Sequence, residues 1–206
     1  IKPLFKNNIQ NIIVYGSIVL CSFMGVIVLN HLPLIDFRPF KIGNNIQQGM
    51  LIPENAEKSV VEMIFIYKVN GVDKEFTENE LGNVPPIHDF TMEKDNSDYK
   101  DEYLQAPKVM LIVAYDLVNA DKDGLAKMEK LYLNAKSKGY KVAGMTASSP
   151  EEIANAKKRF GLTFDFYFCD AITLKTIERA NPSIIILEKG TIRQKVHHND
   201  LSNLKL

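Results

Sequence analysis

The sequence predicts an α/β protein: a mixed sheet flanked by helices, preceded by one transmembrane helix and a β-hairpin. Three observations carry this expectation. Residues 12–29 form an uncharged apolar run, IIVYGSIVLCSFMGVIVL. Asn70-Gly71 sits between two runs rich in β-branched and aromatic residues. From residue 85 onward, short apolar strands alternate with amphipathic helical stretches and end on two consecutive strands. Strands alternating with helices imply a mostly parallel sheet, and the final strand pair makes it mixed. Four parts follow: residues 1–33, a transmembrane helix with flanks; 34–58, an irregular connector; 59–84, a β-hairpin extension; and 85–206, the α/β domain.

The membrane assignment rests on length and charge. No acidic or basic residue lies between Lys6 and Asp36. A bilayer core of about 30 Å needs roughly 20 apolar helical residues, which this run supplies. A buried core helix fits less well, because helices apolar all round are rare in small domains. A signal peptide would have a shorter apolar stretch and an A-x-A-like site. Pro33 ends the helix. Ser17, Cys21 and Gly25 recur every four residues and share one helix face, where small side chains let another helix approach. On this reading Cys21 is a packing residue and the partner is a membrane protein. Lys2 and Lys6 precede the run, and Arg38 and Lys41 follow it, so basic residues do not set its orientation. The chain begins at Ile1, not Met, which reads as a fragment, a processed product or the ordered part of something longer.

In residues 34–58, Pro, Gly, Asn and Gln break every period, which predicts irregular structure. Asn70-Gly71 then marks a tight hairpin, since both central residues of a type I′ turn need positive φ. Within the domain, residues 108–114 (KVMLIVA) read as a buried strand. Residues 121–138 read as a helix with Leu125, Met128, Leu131, Tyr132 and Ala135 on its apolar face. Residues 140–145 form a strand. Ser149-Pro150-Glu151-Glu152 is a capping box with proline in the first turn, and Gly161 closes the helix it opens. Residues 164–169 form a strand, and Asp170 caps a short helix through Ala180. Residues 183–187 and 191–196 form a hairpin around Glu188-Lys189-Gly190, and the tail starts a helix near Asn199.

Composition limits the function classes. With 25 basic and 25 acidic residues the formal charge is zero, which argues against a nucleic-acid binder. The two cysteines, Cys21 and Cys169, lie far apart in different environments, and neither belongs to a zinc-type cluster. No P-loop, Rossmann glycine motif or Ser-His-Asp order is present. No cofactor and no metal site is expected.

The element order and the segment Asn181-Pro182-Ser183-Ile184-Ile185 resemble the thioredoxin fold, in which a cis-proline precedes an apolar strand. Pro86-Ile87-His88-Asp89-Phe90-Thr91-Met92 resembles the P-x-F-x-L lead-in of membrane-tethered thioredoxin-like proteins. The resemblance spans residues 85–206. The whole chain also resembles the C-terminal part of DoxX-family membrane proteins, through DFRPFKIGNNIQQGM after the helix, TASSPEEI (146–153) and HHNDL (197–201). That resemblance implies a bacterial inner-membrane protein whose soluble domain faces the periplasm, with further membrane helices upstream of Ile1. The family carries C-x-x-C after the first core strand, but here Val118-Asn119-Ala120-Asp121 fills that window. Disulfide exchange needs an attacking and a resolving thiol, so the usual thioredoxin chemistry is not expected.

On this resemblance Asn181, Pro182, Tyr115, Asp116, His197 and His198 are candidates to bind a ligand or partner. They are expected at one end of the sheet, beside the lost thiol position. Adjacent strand residues point to opposite faces, so at most one of His197 and His198 is expected to face any site. Cys169, near a helix start, is a possible reactive thiol. Flanking Phe164, Phe166 and Phe168 and the neighbouring Asp170 favour a structural cysteine instead. The expected function is a redox-inactive, membrane-anchored module binding a protein or peptide, or a subunit of a membrane complex. The alternative is an accessory domain of a DoxX-type oxidoreductase handling quinone or thiol electrons.

Overall fold

The computed structural model describes residues 7–33, 35–52, 60–69, 72–81 and 85–206. Helix α1 (Asn7–Asn30) is the first element. Its stretch Ile9–Asn30 is long and apolar enough to cross a membrane, and none of it is buried in the fold. Helix α2 (Ile46–Gly49) follows, then β1 (Val60–Val69) and β2 (Val72–Leu81), which pair antiparallel with Val69 opposite Val72. That register matches the expected hairpin; Asn70-Gly71 itself lies outside the described residues.

The domain is built on a seven-stranded mixed sheet. In chain order its elements are β3 (Glu93–Lys94), β4 (Ser97–Asp98), α3 (Lys100–Leu104), β5 (Val109–Val113) and α4 (Lys122–Ser137). Next come β6 (Lys141–Thr146), α5 (Pro150–Phe160), β7 (Phe166–Phe168) and α6 (Ala171–Ile177). Strands β8 (Ser183–Glu188) and β9 (Thr191–His197) and a 3₁₀ turn (His198–Asn203) complete it. The spatial order is β4-β3-β7-β6-β5-β8-β9. Strands β5, β6 and β7 are parallel, and β8 and β9 run antiparallel beside β5. With the cis peptide at Asn181–Pro182 leading into β8, this is the thioredoxin-like arrangement that the resemblance implies.

The pleat sorts β5 between two cores. Val109, Leu111 and Val113 face one cluster with Met145, Tyr167, Leu174, Ile177 and Ile185. Met110 and Ile112 face the other, under α4 and α5, with Leu125, Met128, Phe164, Phe166 and Ile184. The local signals hold where side chains close a helix end. Ser149 and Glu152 make the reciprocal capping box, and Gly161 ends α5 in the left-handed conformation at φ 65°. Asp121 and Asp170 accept from first-turn amides of α4 and α6.

Three features depart from expectation. The connector is not merely irregular: Phe40 and Ile46 are buried in the first core. Asn45 bridges Thr191, and backbone bonds Gly43 N–H to Ile192 O (2.8 Å) and Ile46 N–H to Gly190 O (2.9 Å) cover the β9 edge. Covering that edge removes a free row of pairing groups. The third parallel strand, β7, is three residues long, and α6 ends at Ile177 rather than Ala180. A short hairpin, β3–β4, turns on Asp95 and Asn96, both at positive φ, and pairs Glu93 with Phe168 to extend the sheet.

Candidate functional site

The registers bring one end of every core strand together. Val113 lies opposite Met145 and Ser183, Met145 opposite Tyr167, and Ser183 opposite His197. Five segments therefore emerge at one edge: loop 114–121, Ala147–Ser149, Cys169-Asp170, the turn 178–182, and His198–Asn203. Ligands of α/β sheets bind outside the carboxyl ends of the parallel strands, which is this edge.

Asn181 organises the loop. Its Nδ2 donates to Asp116 O at 2.7 Å, and its own carbonyl accepts from Asp121 N–H at 2.8 Å. One side chain and one carbonyl thus hold both ends of loop 116–121. Between them, Asp116 accepts from the N–H groups of Val118 (3.0 Å) and Asn119 (2.9 Å) and from Asn119 Nδ2 (2.8 Å). Such short-range carboxylate bonds fold a turn on themselves. The bonds from Asn119 hold the Asp116 carboxyl below its ordinary pKa, with Val118 N–H and Lys175 adding to the effect against a small burial penalty. Tyr115 O–H donates to Arg179 O at 3.3 Å, and Lys175 Nζ sits 5.1 Å from its ring. The aromatic ring is thereby committed to the wall below the groove.

Pro182 packs on the first turn of α4. A Cβ on Gly124 would lie 3.0 Å from Pro182 Cδ and 2.9 Å from His198 Cβ, so only glycine allows that approach. His198 Nδ1 donates to Pro182 O at 3.0 Å. His197 Nδ1 accepts from Asn199 N–H at 3.1 Å, which fixes it unprotonated at that nitrogen. Burial, and then the neighbouring His198, lower the His197 pKa, outweighing the opposing influence of Asp200. The two rings do not diverge as strand alternation predicts. The strand ends at His197, the chain turns, and the rings lie 4.0 Å apart. His31 adds a third ring, 6.4 Å from His197, and its Nδ1 donates to Asp200 at 2.8 Å. A row of imidazoles thus runs from the end of α1 to Pro182. Among the described residues no group of His, Cys, Asp or Glu is arranged to hold a metal ion.

Cys169 lies in the first core with no exposure, and burial pushes its thiol pKa up. A raised pKa and a covered sulfur both work against thiolate chemistry. Ser17, Cys21 and Gly25 lie on the exposed surface of α1, where Ser17 Oγ donates back to Ile13 O at 2.8 Å. The edge also presents exposed apolar side chains, Val118, Phe168 and Ile172. Beside loop 116–121 a cleft of about 180 Å³ opens against α5, with Leu117, Val118, Ala120 and Phe160 on its walls and Lys122 and Arg159 among its polar groups.

A charged cluster below the site was not foreseen. Lys195 Nζ is 2.9 Å from Asp36 Oδ2 and 3.2 Å from Glu178 Oε2, and it donates to Ile177 O at 2.6 Å. Arg38 donates to Asp36 at 2.7 and 2.9 Å and lies 3.7 Å from Glu178. The cluster ties the connector to β9 and to the turn before Pro182. Its sequence signal was Lys195 opposite Ile185, an inward-facing position legible only once the register is known.

No protein-family model and no curated protein matches the sequence. Solved structures do. A secreted Mycobacterium tuberculosis disulfide oxidoreductase, homologous to E. coli DsbE, is 14% identical at TM-score 0.42, over 53% of this chain and 83% of its own. A thiol:disulfide interchange protein from Bacteroides sp. is 16% identical at TM-score 0.41, over 56% of this chain and 80% of its own. The bacterioferritin comigratory protein of Xanthomonas campestris is 12% identical at TM-score 0.35, over 45% of this chain and 69% of its own.

Proposed function

We propose that this chain is a membrane-anchored, redox-inactive thioredoxin-like module that binds a protein or peptide segment at the Pro182 edge. Loop 116–121 carries the reading. On the thioredoxin resemblance it fills the dithiol window; it contains no sulfur and is closed by Asn181 and Asp116 into a fixed support. Dithiol exchange requires an attacking and a resolving thiolate, and Cys169 is a single, fully covered sulfur. What the edge offers instead is exposed Val118, Phe168 and Ile172, and a cleft sized for about one apolar side chain. The apolar length of α1 supports the anchor, and the DoxX resemblance supports the periplasmic face of a bacterial inner membrane.

The test is purification of the full-length protein from membranes in mild detergent. A stoichiometric protein partner, retained by the native protein and lost with Val118→Asp, is the expected result, together with no dithiothreitol-driven insulin reduction. Thiol turnover that disappears in Cys169→Ser overturns the redox-inactive reading. A protein that comes alone and carries quinone overturns the module reading in favour of an accessory domain of a DoxX-type oxidoreductase.

A further inference from the structure

The last turn of α1 does not stand clear of the domain. It forms one wall of a cleft of about 400 Å³ whose other walls come from Pro33, residues 35–38, the turn before Pro182 and His197. The walls differ in kind. Val28 and Leu29 on the helix face Ile35 and Phe37 from the connector, while Glu178, Arg179 and His197 line the domain side. Phe37 is 88% exposed and Ile35 67%, although Phe40, three residues further on, is buried. Large side chains held this open beside an apolar helix are matched to a non-aqueous neighbour.

The position of the cleft identifies that neighbour. The apolar stretch Ile9–Asn30 has 22 residues, ~33 Å at the helical rise, against about 30 Å of hydrocarbon. Val28 and Leu29 therefore fall at the hydrocarbon boundary when α1 spans, and the apolar wall continues from them onto Ile35 and Phe37. The polar wall begins where headgroups begin. There Arg179 is exposed and lines the cleft. Bonds from Asn199 Nδ2 to Asn30 O (2.9 Å) and from His31 to Asp200 (2.8 Å) keep the cleft at this height.

We propose that this cleft is a lipid groove, in which a bilayer phospholipid lays the upper part of an acyl chain against Val28, Leu29, Ile35 and Phe37, its headgroup toward Arg179. The inference rests on α1 spanning a membrane, and the test separates the two. The chain contains no tryptophan, so a single introduced one reports its own surroundings. The full chain carrying Phe37→Trp is reconstituted in phosphatidylcholine vesicles without brominated lipid, with lipid brominated near the top of the acyl chain, and with lipid brominated near its end, which reports on the bilayer centre. A parallel sample carries Val19→Trp, in the middle of α1. The expected result is blue-shifted emission from both, with Trp quenching at position 37 of about half, as for a side chain seated at the headgroup–acyl boundary. Ile35→Trp gives the same result from the same wall. Quenching at 19 but not at 37 and 35 overturns the groove and leaves the anchor standing. Quenching at none of the three overturns both. Blue-shifted but unquenched emission at 37 means that protein covers the wall, and also overturns the groove.

Discussion

Lys195 is the residue on which the fold and the site both depend. Its ammonium is 2% exposed and Glu178 1%, so neither charge is solvated by water and each relies on the other. Desolvation works against the Asp36 carboxylate, yet the hydrogen bonds from Arg38 and Lys195 outweigh it and hold Asp36 well below the usual carboxylate range. Two cations and two anions close the cluster without net charge. Removing one partner from such a set strands a buried ion, whereas removing charges in matched pairs does much less harm. Lys195→Ala is therefore expected to cost about 3–5 kcal/mol in thermal or denaturant unfolding. Lys195→Met combined with Glu178→Gln is expected to recover most of that loss. A single substitution costing under ~1 kcal/mol, the scale of an exposed pair, would show that the cluster is solvated.

At the scale of elements, the 3₁₀ turn at His198–Asn203 is capped by an imidazole. His197 Nδ1 accepts from Asn199 N–H, and a proton on that nitrogen abolishes the cap and sets a charge beside His198 and His31, with Asp200 and Glu178 only partly compensating. The folded-state pKa of His197 lies below its ordinary value of about 6.5, so the unfolded chain binds the proton more readily. Stability from this group is thus complete above about pH 6.5 and is lost as pH falls through the lowered folded value. Melting temperature is expected to drop on acidification from neutrality, and His197→Gln to flatten that slope; an unchanged slope in the variant would assign the effect to other groups. This cap was not legible in the sequence, whereas those of α4, α5 and α6 were. Asp121, Ser149 and Asp170 are local signals, each read within three residues of the amide it serves. The His197 cap needs the strand to end there, and strand ends are fixed by pairing with β8. The same contrast explains the connector. Phe40 and Ile46 have no period to betray burial, and the strand their segment covers is remote in sequence: Gly43 and Asn44 bond Ile192, and Ile46 bonds Gly190. Likewise Asn181, Pro182, His198 and Asp116 were placed together from the element order, while Asp36, Arg38 and Glu178 required coordinates.

At the scale of the whole molecule, the attachment between helix and domain decides how the site is presented. Beyond the chain itself, His31–Asp200 and Asn30–Asn199 join α1 to the 3₁₀ turn, and Lys195 grips the connector just after the helix. These bonds cross from the apolar helix α1 to the loop that touches Pro182. Spin labels on Cys21, exposed on α1, and on a cysteine introduced at the exposed Lys158 measure the resulting rigidity; Cys169 is buried and stays unlabelled. A single narrow distance distribution is expected for the native protein in nanodiscs, and a broad one for Asn199→Ala with Asp200→Ala. Equal widths would mean that the covalent connector alone sets the orientation. The imidazole row carries the matter into encounter kinetics. With α1 spanning a bilayer as proposed, the Pro182 edge is pinned at one height and one bearing above it and shaded from much of the surrounding solution, so a soluble ligand must arrive within a restricted solid angle. A ligand segment displayed at the same height by another protein in that membrane needs only lateral diffusion to meet it. Its effective concentration is then set by its density per area of membrane, and by the match of the two heights, rather than by its amount in the surrounding fluid.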